Sequence, residues 1–410
     1  MPQNHRTTLS VWMFLGGLYT TQYLGLSFIF IALVTILREQ GASLERISLI
    51  YLLGLFGACK FVWAPLVDRF RLTRRWGHYQ GWLLAMQSAM VVILLLVGTF
   101  DIGRDFIAIY LLCLATALCC STQDIAVDGL ACRLLAPAQR GFGNGLQTAC
   151  GLLSYLIGGG LVLMLYPVIG WRHCTWLLAA GTSLSIIQLM FFCEPPRPAA
   201  SVSGRHVFLR FITFWQRERG SRHGLQWLLV LLTYSVGLSI SYSILAPVLV
   251  DAGWPVARIG LVMNVLGPLI GFVSALLTGS LIHRLGRSRA MLLAALLQVV
   301  AVAAIALPVL GHTGELSVAC AVCVYFFCSN PSMAVLGTLI MDHASRETPA
   351  TDFTLQYSMQ QFCGMAMGAS AVFLAGRFGY VMPLSVAATA AFLAVFSSLR
   401  YGARLNLQHV

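Results

Sequence analysis

Lysine is almost missing from this chain. Of its 410 residues one is lysine, Lys60, and 14 are acidic. Charged residues make up 10% of the sequence, against roughly 25% in a soluble domain; so few charges cannot cover a water-facing surface. The lack of lysine also excludes a phosphate-binding G-x-x-x-x-G-K-[ST] loop, because Lys60 stands in no such setting. H-E-x-x-H and G-x-S-x-G are absent, which argues against a membrane hydrolase, and the chain is not read as an enzyme. Alternating ten-residue strands are absent too, and with them the signature of an outer-membrane barrel. Cysteine is not scarce, but its twelve copies are scattered through apolar stretches. Cys320 and Cys323 form one C-x-x-C without a second pair or a nearby histidine, short of the about four ligands a zinc site needs. The cysteines read as small packing residues. Neither a metal nor a cofactor is expected.

Apolar sequence is what the chain has: 58% of residues are hydrophobic and the mean hydropathy is +0.81. These residues gather in blocks of about 20, enough at 1.5 Å per residue to span a hydrocarbon core of roughly 30 Å. The blocks fall at 11–36, 47–67, 79–100, 106–131, 142–166, 172–192, 225–250, 257–282, 290–310, 316–341, 353–376 and 380–399. His5 and Arg6 precede the first, and no small-residue cleavage site follows, so the first helix reads as retained. The expected class is an all-α membrane protein of twelve transmembrane helices.

The longest polar stretch, 193–224, divides the chain into an N-terminal six-helix bundle (1–192) and a C-terminal one (225–410). Its Arg197, Arg205, Arg210, Arg217, Arg219 and Arg222 suit a solvated linker or an amphipathic segment on an anionic leaflet. The net charge of +12 sits in the joints, where it orients the chain rather than binding nucleic acid. With the first residues inside, nineteen arginines fall on the cytoplasmic side and six outside, which places both termini in the cytoplasm.

The halves repeat weakly. Ala64-Pro65-Leu66-Val67-Asp68-Arg69 after the second block matches Gly279-Ser280-Leu281-Ile282-His283-Arg284 after the eighth, and basic residues follow both. Cys120-Ser121 and Cys328-Ser329 precede I-A-V-D-G and M-A-V-L-G in the fourth and tenth. Two pseudo-symmetric bundles around a shared site are a transporter architecture.

These joints resemble the major facilitator superfamily, whose loop between the second and third helices carries a small residue, Asp-Arg and a basic run. Asp68-Arg69 with Arg74-Arg75 fits, and His283-Arg284 through Arg289 fits the second-half copy, with His283 in place of the acid. The segments Lys60–Arg69 and Ser121–Gly129 resemble the AmpG-like branch, which contains muropeptide permeases, acetyl-CoA transporters and RhtX/FptX-type siderophore permeases. The twelve-helix length leans towards the last. That resemblance implies a secondary-active transporter of the bacterial inner (cytoplasmic) membrane, working as a single chain. It would import a small organic solute, a siderophore or ferric siderophore of the pyochelin kind, with proton symport as one means of coupling. The alternative is a muropeptide permease or a drug or metabolite exporter of the same superfamily.

Ionisable residues inside apolar blocks are costly, at least about 2.5–3.5 kcal/mol by insertion scales, and need a partner or water. Lys60, Asp124 and Asp128 lie at one depth, and the two carboxylates share a helix face. Lys60 pairs with Asp124 or Asp128, either as an ion-coupling switch or as a fixed lock between helices. Asp68, Arg69, His283 and Arg284 are expected at a cytoplasmic gate, and Asp342 is either a similar element or a boundary charge. Candidates for substrate contact are Gln22, Tyr23, Gln123, Gln147, Tyr234, Tyr242, Asn264, Asn330, Gln356 and Gln360, though such residues also hold helices together. Gly141/Gly145, Gly267/Gly271 and Gly364/Gly368 form G-x-x-x-G pairs that permit close helix approach. Pro247, Pro268 and Pro331 are expected to kink their helices.

Overall fold

A computed structural model describes residues 9–196 and 223–407, almost entirely as helix and without strand among them. The linker arginines Arg197 to Arg222, and the N-terminal His5 and Arg6, lie outside the described residues. In a bilayer every backbone amide must find its partner within the protein, and long helices do this internally.

Eight helical runs are long and apolar enough to cross a membrane. Two of them, Pro137–Phe191 and Arg258–Val309, run to 55 and 52 residues, twice what one crossing needs. Each breaks at a single glycine with positive φ, Gly170 (φ 75°, ψ 171°) and Gly286 (φ 75°, ψ 168°). A side chain strains that backbone conformation, so glycine turns the chain there without a loop. Two further segments, 44–69 and Pro349–Phe378, are helical but more polar. The described residues thus make twelve passes: α1 (Leu9–Glu39), α2 (44–69), α3 (His78–Val97), α4 (Phe106–Leu134), α5 and α6 (Pro137–Phe191, parted at Gly170), α7 (Gln226–Asp251), α8 and α9 (Arg258–Val309, parted at Gly286), α10 (Glu315–His343), α11 (Pro349–Phe378) and α12 (Val381–Leu407).

The expected unbroken helix at 47–67 is instead four short pieces: Leu44–Leu52, Leu55–Cys59, a 3₁₀ turn at Lys60–Val62, and Ala64–Arg69. Pro65 has no amide to donate, and Trp63 closes back on the carbonyl of Lys60 at 3.2 Å rather than continuing the α pattern. Three wide π turns also appear, Phe28–Leu33 in α1, Tyr155–Leu161 in α5 and Val262–Leu266 in α8.

The described chain forms two compact units. The first holds α1–α4, the later part of α5, α6, and the segment Ala344–Thr354 that opens α11. At one end its core packs Phe28, Ile29, Leu33 and Ile36 of α1 with Ile93 and Val97 of α3, Ile109 and Cys113 of α4, and Leu178 of α6. The second unit holds α7–α10, the rest of α11, α12, and Pro137–Ala149 at the start of α5.

Candidate functional site

In the first unit the 3₁₀ turn of α2 aims Lys60 inward. Its side chain is 1% exposed and its Nζ donates to Oδ2 of Asp124 on α4. The other oxygen of Asp124 accepts from Nε2 of Gln22 on α1. The lysine thus engages Asp124, one of the two acids expected. Asp128 lies one turn further along α4, at 1% exposure. Trp63 braces the turn by donating to Thr122 Oγ1 at 3.1 Å, and Gln123 Nε2 donates to the Leu18 carbonyl at 3.3 Å.

Tyr19, fully buried on α1, lies in the electrostatic field of Asp128 and Asp124. Sequence reasoning passed over it because an aromatic in an apolar run is ordinary core. Tyr19 Oη, Gln22 Oε1 and Gln123 Oε1 are buried without a hydrogen-bond partner among the described residues. The cluster therefore joins an ion pair to several polar groups on α1, α2 and α4.

A second node of the same unit centres on Asp68, at 1% exposure. Its Oδ1 accepts from the Tyr79 hydroxyl at 2.5 Å, and its Oδ2 accepts from both the amide (2.7 Å) and the hydroxyl (2.6 Å) of Thr351. Thr351 lies in the first turn of α11, where free amides and the helix dipole favour an anion. Asp68 thus caps a helix remote from it in sequence. Gly129 gives the node its room: a Cβ there would lie 2.6 Å from that of Ala350 and 2.8 Å from the Tyr79 ring. Arg69 is exposed, with its guanidinium 5.0 Å from the centre of the Phe70 ring.

Glu194, which the sequence reading left in the linker, extends this node. It accepts from Arg133 Nη1 at 2.7 Å and from the Gln80 amide at the start of α3 at 2.9 Å. Gln80 Nε2 donates to the carbonyls of Leu189 and Phe192 at the end of α6. Arg133 also lies over the Tyr79 ring at 5.7 Å, so Glu194, Arg133, Tyr79, Asp68 and Thr351 form one continuous set of contacts.

The second unit answers differently. His283 and Arg284 are exposed and make no hydrogen bond or ion pair among the described residues. The pairing falls to Arg287, three residues on. It donates to Asp342 through Nε at 3.0 Å and to the Pro137 carbonyl through Nη2. Asp342 also accepts from Arg140 Nη1 at 2.9 Å. Where the first unit has an acid capping a helix, the second has a carboxylate between two guanidiniums.

The remaining candidates separate. Tyr234 donates to the Met291 carbonyl at 2.9 Å, and Gln356 accepts from Trp227 Nε1 at 2.7 Å and donates to the Ile340 carbonyl; both are fully buried and tie helices together. Asn330 donates to the Phe326 carbonyl at 2.6 Å. Gln360 is 8% exposed; Tyr23, Gln147 and Asn264 are half-buried, and Asn264 lies inside the π turn of α8. Tyr242 is 43% exposed and packs on Tyr325. The G-x-x-x-G glycines meet close neighbours: Gly145 faces the Ala275 carbonyl, and Gly364 and Gly368 face Ser239 and Ser243.

Comparison with known proteins bears on what such an arrangement does. The Major Facilitator Superfamily pattern matches residues 15–371. The anhydromuropeptide permease of Escherichia coli K12 is 28% identical over 322 residues, 77% of this chain and 64% of that protein's length. A putative transporter AmpG 4 of Rickettsia felis is 22% identical over 281 residues, 66% of this chain and 67% of its own. Among solved structures, the human organic anion transporter MFSD10 superposes with a TM-score of 0.74 at 16% identity, covering 95% of this chain and 98% of that one. The proton:xylose symporter XylE gives 0.61 at 13%, covering 94% of each. The family pattern spans most of the chain and the fold agrees with it, so this chain belongs to the Major Facilitator Superfamily and is a multi-pass membrane protein.

Proposed function

We propose that the chain imports a muropeptide-type solute, an amino sugar bearing a short peptide, across a bacterial inner membrane. The observation that carries the substrate class is the 28% identity to an anhydromuropeptide permease across 77% of the chain. The relatives named above move the balance away from the siderophore first expected and towards the muropeptide alternative. The arginine distribution supports an orientation with residues 69–77 in the cytoplasm.

Energy comes from an ion gradient, and the Lys60–Asp124–Gln22 cluster is its coupling element. A buried carboxylate that exchanges its lysine for a proton changes the charge that α2 and α4 must accommodate, and so changes their preferred packing. Asp68 with Thr351, and Asp342 with Arg140 and Arg287, stabilise one conformation of the carrier. A single chain suffices for this cycle.

The test is uptake of a radiolabelled anhydromuropeptide by bacteria lacking the gene, with and without a plasmid copy. Restored uptake with the wild-type copy, but not with Lys60→Ala at equal membrane level, is the expected result. Uptake that does not depend on the gene, or restoration of ferric-chelate uptake instead, would overturn the reading.

A further inference from the structure

We infer that the joint between α2 and α3 is a docking surface for an acidic phospholipid, a glycerophosphate diester whose headgroup carries net negative charge. The inference is independent of which solute the chain carries. Arg69, Arg71, Arg74 and Arg75 follow one another closely along this joint. A basic cluster directly after a membrane helix draws anionic lipid, each basic residue near the surface adding about fivefold in affinity.

The joint sits where a headgroup lies. Val62 and Leu66 turn exposed apolar side chains outward from the last part of α2. Phe70, 48% exposed, continues that face one turn after Leu66, and Leu72 beside it in sequence is 45% exposed. In a membrane-spanning chain such a face meets lipid tails. Charge begins where it ends: Arg71, Arg74 and Arg75 are all exposed. Trp76 and Trp82 follow the run, both half-buried, and tryptophan gathers at the boundary between tails and water.

The surface is built in advance. Arg71 donates through Nε to the Trp76 carbonyl and through Nη2 to the Arg74 carbonyl, each at 3.1 Å, which curls the joint back on itself. Thr73 Oγ1 accepts from the amides of Arg75 and Trp76 at 3.2 and 3.3 Å. Trp82 donates its Nε1 to the Phe70 carbonyl, and His78 donates its Nε2 to the Val67 carbonyl, both at 2.8 Å, so the joint is pinned to the start of α3. The Arg75 guanidinium lies 5.2 Å from the centre of the Trp76 ring. A segment ordered in this way loses little freedom when a ligand lands on it.

The protein does not neutralise this charge. Carbonyls hold Arg71 and a ring holds Arg75, and neither kind of partner carries net charge. Among the described residues none of Arg71, Arg74 and Arg75 pairs with a carboxylate. Two acids of the same unit that flank the joint are engaged elsewhere: Asp68 by Tyr79 and Thr351, and Glu194 by Arg133 and the Gln80 amide. Guanidinium groups match phosphate oxygens in shape and charge, which leaves a phosphodiester as the fitting counter-ion. At the corresponding joint of the second unit Asp342 takes up Arg287, and only Arg284 and Arg289 are exposed.

The experiment is native mass spectrometry of the purified full chain in detergent, titrated with dioleoyl phosphatidylglycerol or dioleoyl phosphatidylcholine. Wild type should bind the glycerol lipid at least about thirtyfold more tightly than the choline lipid. Arg74→Gln/Arg75→Gln should weaken binding of the glycerol lipid about twenty-five-fold and leave the choline lipid unchanged. Arg284→Gln/Arg289→Gln removes the same charge from the second unit and should stay within about threefold of wild type. Equal affinity of wild type for the two lipids would overturn the inference, as would an equal loss in both double variants, which would mean an effect of net charge alone. Displacement by inorganic phosphate as readily as by lipid would mean a site for free anions, and would overturn the docking surface too. If Arg74→Gln/Arg75→Gln does not accumulate, phenylglyoxal modification of wild type in nanodiscs, mapped by mass spectrometry, decides. Arg74 and Arg75 should react several-fold more slowly in phosphatidylglycerol than in phosphatidylcholine, and equal rates would overturn the inference.

Discussion

A lysine at bilayer depth is stable only while its counter-charge is in place. Lys60 is held by Asp124, and Asp124 in turn by Gln22. Removing one member of such a pair leaves a buried charge uncompensated and typically costs about 3–5 kcal/mol, whereas replacing both with apolar residues is often close to neutral. Lys60→Met alone should therefore lower the thermal unfolding temperature in detergent sharply, and Lys60→Met/Asp124→Leu should recover most of the loss without recovering uptake. A double variant that unfolds like wild type and also transports normally would reduce the pair to a simple lock. Both charges were visible in the sequence because ionised residues inside apolar blocks are rare. Their choice of partner was not: Asp124 and Asp128 share a helix face, and the 3₁₀ turn at Lys60–Val62 directs the lysine to the first. Tyr79 and Thr351 escaped notice because each is unremarkable until Asp68 is brought to it.

At the scale of helices, α2 shows how local chemistry overrides a hydropathy pattern. Its apolar run reads as one helix, yet Pro65 withdraws an amide and Lys60 turns inward, so the span is assembled from short pieces. The last of these carries Asp68 to the start of α11. Losing a capping carboxylate costs a helix end about 0.5–2 kcal/mol. Asp68→Ala should therefore speed amide hydrogen exchange in residues 344–354 by about three- to thirtyfold, while exchange in the middle of α4 stays unchanged. Unaltered exchange at Thr351 would show that the cap contributes nothing to the order of that segment. In the second unit the basic run was legible but its working residue was not. His283 occupies the position of the acid, and the pairing moved to Arg287, whose partner Asp342 is remote in sequence.

At the scale of the whole chain, hydropathy alone located the passes, because each must bury about 20 apolar residues whatever its neighbours do. Hydropathy placed joints at 167–171 and 283–289 but did not reveal that one glycine makes each turn, because a positive φ leaves no mark on an apolar pattern. Orientation follows from arginine placement and is open to a direct check. Alkaline phosphatase, which is active only outside the cytoplasm, should be inactive when fused after Arg74 and active when fused after Thr313. The opposite pattern would invert the membrane sidedness. The scarcity of lysine has a practical consequence. With a single ε-amine in the sequence, and that one 1% exposed against Asp124, acylating reagents have almost nothing to modify on the resting protein apart from its α-amino group. Any ε-acylation found by peptide mapping marks a moment when the amine had left Asp124, so a common labelling chemistry becomes a clock for the opening of that buried pair.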